Sequence, residues 1–342
     1  MAACERVLRS GYLASGRETR AFELALQARF HRQHAIVVSS GMAALHLALV
    51  VLGAKAHSRV VLPSYVCTAL LNAIGLIGAK PVLRDCARGE VHMDDISKTD
   101  EKGDRPESAD TDTFIIAPQM FGLCKSWRRL PQNRLIEDAA MALGPKALQQ
   151  GAVSIASFYA TKMITSAQGG ALLTDDQGMA DEIRDLIAYD NRETYRQRFN
   201  YAPNDLCSAL GSAQLAKLDG FLARRQALAE QYDTLLREKC PNILAQAGGL
   251  SQNGPGLFRY WVLVRHRETC IQHLAKFGVE AKSPVYRPLH RYLGESDSCF
   301  PNASWLQESV LSLPYYPALR DEDLEQVVER LAEVAGPAII PR

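Results

Sequence analysis

The segment SIASFYATKMITSAQGGALLT (residues 154–174) contains one lysine and two adjacent glycines between two short apolar runs. The runs at residues 154–158 and 171–174 predict buried strands. Lys162 follows the first strand, and we expect Gly169 and Gly170 to let the backbone turn tightly before the second. A lysine at a strand end in a partly dry cleft can lose its proton and become a nucleophile towards an aldehyde. Most lysines after strands are simply solvated, so this signal is weak when taken alone.

Strand and helix patterns alternate along the chain before this segment. Strands are predicted at residues 35–39, 59–62, 80–84, 113–117 and 134–137. Helices are predicted at residues 19–31, 41–52 and 69–78. Such alternation predicts an α/β fold with helices on both faces of one sheet. The polar and acidic stretch at residues 86–111 predicts an excursion over the surface.

The pattern changes after the segment. One long helix is predicted at residues 206–240, with a break or bend at Gly220, and a Gly/Pro-rich stretch follows at residues 248–256. A strand at residues 260–264 and helices at residues 271–277 and 321–335 then predict a smaller α+β domain. We therefore expect a large α/β domain at residues 1–220 and a small C-terminal domain at residues 221–342. The basic pair Arg224 and Arg225 is interpreted as a solvated helix face.

Composition excludes several classes of function. The formal net charge is +1, so no basic footprint for nucleic acid is present. No two of the eight cysteines have the spacing of a zinc or redox motif, and the histidines form no metal-binding set. Scattered cysteines in a long chain usually indicate reduced thiols. No apolar stretch reaches the length of a membrane span, and no signal-like core follows the first residues. We expect a cytoplasmic protein with no metal and no membrane contact.

A second candidate site is the run LIEDAA (residues 135–140), where an apolar strand ends in two carboxylates. Ligands of α/β folds bind at this edge of the sheet. An ionised Asp138 at that edge could keep a pyridine nitrogen protonated, as the carboxylate does in pyridoxal-phosphate enzymes. The alternative is an ordinary helix N-cap aspartate, which is commoner in general.

A third candidate is the run SSGMAALH (residues 39–46), between a predicted strand and a predicted helix. Backbone N–H groups at such a helix start form a phosphate-binding site. Gly41 would let the chain approach a phosphate closely, and Ser157 could add a hydroxyl donor. Junctions of this kind also occur without phosphate.

Taken together, these three motifs resemble one family. The chain is similar to the DegT family of pyridoxal-phosphate sugar aminotransferases, a branch of the fold type I enzymes related to aspartate aminotransferase. The resemblance extends almost end to end. Besides the three motifs it includes SGRETRAFE (15–23), LPSY (62–65), GAKPV (78–82), FNY (199–201), QL (214–215), YRPLH (286–290) and LSLPYYP (311–317). It implies a large domain with a mostly parallel mixed sheet flanked by helices, and a smaller C-terminal α+β domain.

The resemblance also implies roles for individual residues. Lys162 matches the lysine that holds the cofactor as a Schiff base, and Asp138 matches the residue facing the pyridine nitrogen. The cofactor-binding positions that match the family are Gly41, Met42, Ala43, Cys67, Asp138, Met141, Ser157, Lys162 and Asn200. Asn200 matches an asparagine that reaches the phosphate from a neighbouring subunit, which implies a homodimer with shared sites. His290 and Tyr286 lie in a segment that is near the substrate in the family.

Five positions depart from the family pattern. Cys67 replaces the aromatic residue that stacks on the cofactor ring, and Met141 replaces a glutamine that meets the ring hydroxyl. Ala167-Gln168 replaces Gly-Glu before the paired glycines, and Ala202 replaces an arginine. Each change removes a polar or stacking contact and leaves Lys162 and Asp138 in place. We interpret the changes as a sign of a different substrate or reaction subtype.

The expected function is transamination with pyridoxal 5'-phosphate. The amino donor would be an amino acid, with glutamate expected, and the acceptor a keto sugar, with a nucleotide-linked keto-deoxysugar expected. One alternative is another reaction of the same cofactor, such as a sugar dehydration. Lys162 argues against dehydration, because the dehydratases of this family have histidine in place of the lysine. A second alternative is a non-catalytic relative, because Cys67 and Met141 replace residues that contact the cofactor in the family.

Overall fold

The computed structural model describes residues 2–94, 112–144, 146–241, 243 and 258–337. Its strands are β1 (His34–Val38), β2 (Arg59–Pro63), β3 (Lys80–Arg84), β4 (Thr113–Pro118), β5 (Leu135–Asp138), β6 (Val153–Ser157), β7 (Gly170–Thr174), β8 (Tyr260–Arg265), β9 (Val310–Leu313) and β10 (Gly336–Pro337). Its first helices are α1 (Ala2–Ser10), α2 (Arg17–Phe30), α3 (Gly41–Val51), α4 (Ala69–Ile77), α5 (Gln177–Ile187), α6 (Asp205–Leu215) and α7 (Leu218–Lys239). Further helices are Arg267–Ala275, Leu289–Tyr292, Pro301–Ser309 and Asp321–Ala332.

Strands β1 to β7 form one seven-stranded sheet in the order β1-β7-β6-β5-β4-β2-β3. Strand β7 runs antiparallel to both its neighbours, while β3, β2, β4, β5 and β6 pair in parallel. This arrangement confirms the predicted mostly parallel mixed sheet. Parallel pairing needs a crossover connection, which agrees with the alternation of strands and helices in the sequence.

Hydrophobic cores cover both faces of this sheet. Successive side chains of a strand point to opposite faces, and β1 follows this rule. Ala35 and Val37 pack into one core with α2, while Ile36 and Val38 pack into the other with α3. The strand is therefore apolar throughout, as the sequence pattern predicted. Strands β10, β8 and β9 form a second, antiparallel sheet of three strands.

The predicted position of the helix break is wrong. Helix α6 ends at Leu215 and α7 begins at Leu218, so the break precedes Gly220, which lies inside α7. The expected domain boundary at residue 220 also falls inside α7, and the division into two domains stays a prediction. Within the predicted surface excursion, Cys86, Val91 and Met93 are buried in the structure. The rest of that excursion, residues 95–111, and the stretch at 248–256 lie outside the described residues.

Several elements were not predicted from the sequence. These are α1, α5, the helices Leu289–Tyr292 and Pro301–Ser309, and strands β9 and β10. None of the described helices is both long enough and apolar enough to cross a membrane.

Candidate active site

Four of the predicted site residues lie at the carboxyl-terminal edge of the large sheet. Asp138 is the last residue of β5, and Ser157 is the last residue of the adjacent parallel strand β6. Lys162 lies in the loop that follows β6, and helix α3 begins at Gly41 shortly after β1. Because parallel strands end at the same edge, the sequence position of each residue directly after a strand brings them together.

Asp138 is a buried carboxylate with one oxygen still available. It is 6% exposed, and its Oδ1 accepts the amide hydrogen of Ala140 at 2.9 Å. No helix follows, so the alternative of a helix N-cap does not apply. Among the described residues, Oδ2 has no hydrogen-bond partner. Burial raises the pKa of Asp138, while the Ala140 amide and Lys162 lower it. A cationic N–H group beside Oδ2 would favour the ionised form, so the carboxylate fits a pyridinium nitrogen.

Lys162 is a partly buried amine within electrostatic reach of Asp138. Burial lowers its pKa below the usual lysine range, Asp138 and Cys67 raise it, and Arg259 lowers it. Its Nζ lies 5.6 Å from the centroid of the Phe258 ring. The lysine lines a cavity of about 900 Å³ together with residues of α7 and of the second sheet. A lysine whose neutral form is favoured in this way is suited to nucleophilic and proton-transfer chemistry.

Gly41 and Ser157 are in contact at the start of α3. A Cβ atom on Gly41 would lie 2.8 Å from the Ser157 Cβ and 3.0 Å from its Oγ, so only glycine fits there. The amides of Gly41 and Met42 have no acceptor among the described residues. Free N–H groups at a helix start beside a serine hydroxyl fit a phosphate group.

Ala43 differs from the expectation at this junction. Its amide donates to Ser40 Oγ at 3.1 Å, because Ser40 is the N-cap of α3. The amide is therefore already satisfied within the protein, and we no longer count Ala43 among the free phosphate donors. Its methyl group is buried in the core.

The paired glycines are required for close packing rather than for a turn. Neither Gly169 nor Gly170 has a positive φ. Gly170 is the first residue of β7, and a Cβ atom there would fall on the Ser40 carbonyl. Gly170 therefore allows β7 to pass directly beneath the turn that leads into α3. The prediction of a tight turn at these glycines is wrong, and the close approach explains them.

Cys67 is within electrostatic reach of Asp138 and Lys162, while a contact of Met141 with the cofactor stays a prediction. Cys67 has accessible surface. Burial raises the pKa of the Cys67 thiol. The charge of Asp138 also raises it, and the charge of Lys162 lowers it. Met141 is partly buried and packs against the cores on both faces of the sheet.

Asn200 is exposed on a well-anchored turn. The rings of its neighbours Phe199 and Tyr201 stack at 5.2 Å and both pack on His46 of α3. The Ser39 amide donates to the Tyr201 carbonyl at 2.9 Å, which ties this turn to the strand–helix junction. The position of Asn200 is thus fixed, while its side chain is open to a neighbouring molecule.

His290 does not reach the cavity. It has no exposed surface, and its ring stacks on Phe300 at 4.7 Å. Its Nδ1 lies 2.6 Å from Ser64 Oγ and its Nε2 lies 2.8 Å from Asp297 Oδ1. With both ring nitrogens engaged, His290 connects segments of the fold, and its predicted role near the substrate stays a prediction. Tyr286 is 87% exposed and stays a prediction.

Two arginines of the cavity were missed or misread in the sequence. Arg225 is 6% exposed, so its interpretation as part of a solvated helix face is wrong. Arg259 precedes β8 and also lines the cavity. For Arg259, the only signal in the sequence was its position directly before an apolar strand.

The comparisons with known proteins agree with this geometry. A match to the DegT/DnrJ/EryC1/StrS aminotransferase family covers residues 1–332. DesV from S. venezuelae is 28% identical, with a TM-score of 0.85 over 97% of this chain and 93% of that chain. PseC from Helicobacter pylori, an aminotransferase involved in the biosynthesis of pseudoaminic acid, is 22% identical, with a TM-score of 0.82 over 97% of this chain and 95% of that chain.

A further solved structure of this fold supports the expected cofactor, pyridoxal phosphate. Spr1654 from Streptococcus pneumoniae is 23% identical in its PLP-form, with a TM-score of 0.82 over 97% of this chain and 94% of that chain. The same protein has also been solved in a PMP-form. Pyridoxal phosphate is thus confirmed as the cofactor at the level of the family. The chain belongs to the DegT/DnrJ/EryC1/StrS aminotransferase family.

Proposed function

We propose that this aminotransferase moves an amino group from an amino acid, with glutamate the expected donor, to a nucleotide-linked keto sugar. The observation that supports the proposal best is the meeting of Lys162, Asp138 and the Gly41–Ser157 contact at one sheet edge. These groups match the amine, the carboxylate and the phosphate-binding junction that pyridoxal phosphate requires.

The chain's own residues would bind and orient the cofactor. The amides of Gly41 and Met42 and the hydroxyl of Ser157 would bind its phosphate. Asp138 Oδ2 would hold the proton at the ring nitrogen. Pyridoxal phosphate, when bound, supplies a carbonyl carbon and a ring that withdraws electrons from a carbanion.

Lys162 would act as the general base and acid. Its Nζ would remove the proton from the donor's α-carbon, which needs a neutral amine. Burial lowers the pKa of Lys162, so a larger fraction of the amine is neutral near physiological pH. Phe258 lies beside the amine and excludes water from that side.

A homodimer in the cytoplasm is part of the proposal. The exposed side chain of Asn200, on its anchored turn, would contact the phosphate bound by the partner copy. The scattered cysteines of the chain fit a reducing compartment.

A visible absorption spectrum of the purified protein tests the proposal. The proposed function predicts a yellow protein whose colour bleaches when glutamate is added. A yellow protein that ignores amino donors and removes a hydroxyl from a sugar would instead indicate dehydration. A colourless protein that does not take up pyridoxal phosphate would contradict the proposal and favour a non-catalytic relative.

A further inference from the structure

Arg259 is a guanidinium without a counter-ion beside the proposed catalytic lysine. Its Cζ lies 5.1 Å from the centroid of the Phe258 ring, and Lys162 Nζ lies 5.6 Å from the same centroid. The two cations therefore lie near the same aromatic ring, and the charge of Arg259 lowers the pKa of Lys162. Within the described parts of the chain, Arg259 forms no ion pair, and its Nε is buried without a hydrogen-bond partner.

Among the described residues, the carboxylates that line the cavity do not neutralise Arg259. The cavity wall contains the carboxylates Glu280 and Asp323. Glu280 pairs with Lys282, and Asp323 pairs with Arg320 at 2.7 Å. Both carboxylates are therefore already engaged, and the lining side chains that the structure describes carry an excess of positive charge. A partly buried cation without a partner is costly, unless an anion arrives with a ligand.

Arg225 holds the wall in place rather than serving the ligand. It donates to the carbonyls of Phe258 and Tyr315, at 3.2 and 2.9 Å, and it stacks over the Tyr315 ring. Among the described residues, the guanidinium of Arg259 donates only to the hydroxyl of Ser312 at 3.3 Å, a weak bond that a charged acceptor could replace. The Nε of Arg225 is also buried without a partner among the described residues, but its Nη1 donates to two carbonyls, so Arg259 is the less engaged of the two guanidinium groups.

The backbone before β8 fixes where Arg259 stands. The amides of Phe258 and Arg259 both donate to the carbonyl of Phe121, at 2.7 and 3.3 Å. Phe121 itself has a φ of +57°, a left-handed conformation that is uncommon for a bulky residue. Such strained conformations persist where the surroundings over-determine them, often at ligand sites. The left-handed conformation of Phe121 directs its carbonyl towards the amides of Phe258 and Arg259, which fixes Arg259 in the cavity wall.

We propose that Arg259 binds the carboxylate of the amino donor beside Lys162. This inference rests on the proposed function, since it names the recognition element of the same site. An α-amino acid has its carboxylate one bond from the amine-bearing carbon, so a donor whose amine reaches Lys162 brings its carboxylate towards Arg259. The planar guanidinium fork matches a carboxylate in two parallel hydrogen bonds. A sugar acceptor that carries a carboxylate is the other source of the same chemistry.

Calorimetry with glutarate, a dicarboxylate without an amine, tests the binding step on the holoenzyme. We expect Arg259→Gln to weaken glutarate binding by about 10- to 100-fold, the effect of losing a charged hydrogen-bond pair. Arg259→Lys keeps the charge but loses the fork, so we expect an intermediate loss. Arg20→Gln removes an exposed arginine of α2 and should leave the affinity unchanged. Equal affinity of wild type and both Arg259 variants for glutarate would overturn the proposal.

Measuring the two half-reactions separately distinguishes a carboxylate of the amino donor from a carboxylate of the sugar acceptor. At a pH high enough for Lys162 to be neutral in both proteins, colour bleaching by glutamate should need at least about tenfold more donor in Arg259→Gln, with little change in the maximal rate. The return of colour with the keto substrate should be unchanged. A defect confined to the return step would assign the carboxylate to the acceptor and overturn the donor assignment. Arg259-dependent glutarate binding by a protein that never bleaches would contradict the proposed function alone.

Discussion

Asp138 and Lys162 shift each other's pKa but form no ion pair with each other. Burial destabilises the charged form of both, and each partly compensates the other. In this arrangement the carboxylate keeps Oδ2 and the amine keeps Nζ available for a ligand placed between the strand end and the loop. The pair is thus suited to a ligand that shares a proton with Asp138 and forms a covalent bond with Lys162.

The first prediction concerns Asp138→Asn. The neutral amide cannot hold the ring nitrogen of pyridoxal phosphate protonated, so turnover should fall by at least about 100-fold, because removing one partner of a buried ion pair costs about 3–5 kcal/mol. The yellow colour should remain, since Lys162 is intact. Steady-state kinetics with a visible spectrum measures both effects. Near wild-type turnover would show that Asp138 does not face the ring nitrogen.

The pH dependence of covalent cofactor uptake should reflect the charges around Lys162. Uptake by the apoenzyme needs the neutral amine, so its rate should reach half-maximum below the usual lysine pKa. Arg259→Gln removes a cation that lowers this pKa, so its profile should move to higher pH. Asp138→Asn removes an anion that raises it, so that profile should move to lower pH. Stopped-flow absorbance at several pH values gives the three curves, and shifts in the same direction would contradict the assigned charges.

Gly41→Ala should weaken cofactor retention. The added methyl group would lie 2.8 Å from the Ser157 Cβ, so either the helix start or the serine must move. Overpacking of this kind costs about 1–3 kcal/mol, which corresponds to roughly a 5- to 150-fold weaker binding. Equilibrium dialysis against pyridoxal phosphate measures the change. Gly75→Ala in α4, where nothing lies within 4 Å, is the matched control and should bind the cofactor normally.

The departures at Cys67 and Met141 predict a loosely held ring. The double variant Cys67→Phe with Met141→Gln should retain the cofactor about tenfold better on dialysis, from one aromatic stack and one hydrogen bond. Tyr65 has no exposed surface and packs edge-on against Phe121, so it does not cover the ring. Tyr159 is exposed close to Lys162 in the sequence and is the remaining candidate. Equal retention by the double variant and the wild type would indicate that another side chain already stacks there.

The strands and the core of the site were predictable from the sequence for a local reason. Short apolar runs indicated β1 to β7 to within about two residues, because strands buried on both faces are apolar throughout. Asp138 and Ser157 end their strands, and Lys162 and Gly41 follow theirs closely, so the parallel topology brings them together. Their meeting therefore needs no information about distant packing.

Features that depend on tertiary packing could not be predicted from the sequence pattern. The helix break was expected at Gly220, yet it lies where Leu215 and Leu218 both enter one core. His290 lies in a segment that resembles the family, but its contacts with Ser64 and Asp297 come from elsewhere in the chain. Arg225 looks like a solvated residue in sequence, and only the carbonyls of distant segments make it a buried one.

The central claim is that Lys162 holds pyridoxal phosphate and releases it to an amino donor. Borohydride reduction followed by peptide mapping tests this claim most directly, with Lys55→Ala as a control for an exposed lysine. Reduction of the resting enzyme should place the label on Lys162, and Lys162→Ala should carry none. Reduction after excess glutamate should leave Lys162 unlabelled, because the cofactor has then left the lysine with the donor's amine. A label on another lysine, or one that persists on Lys162 after glutamate, would contradict the account.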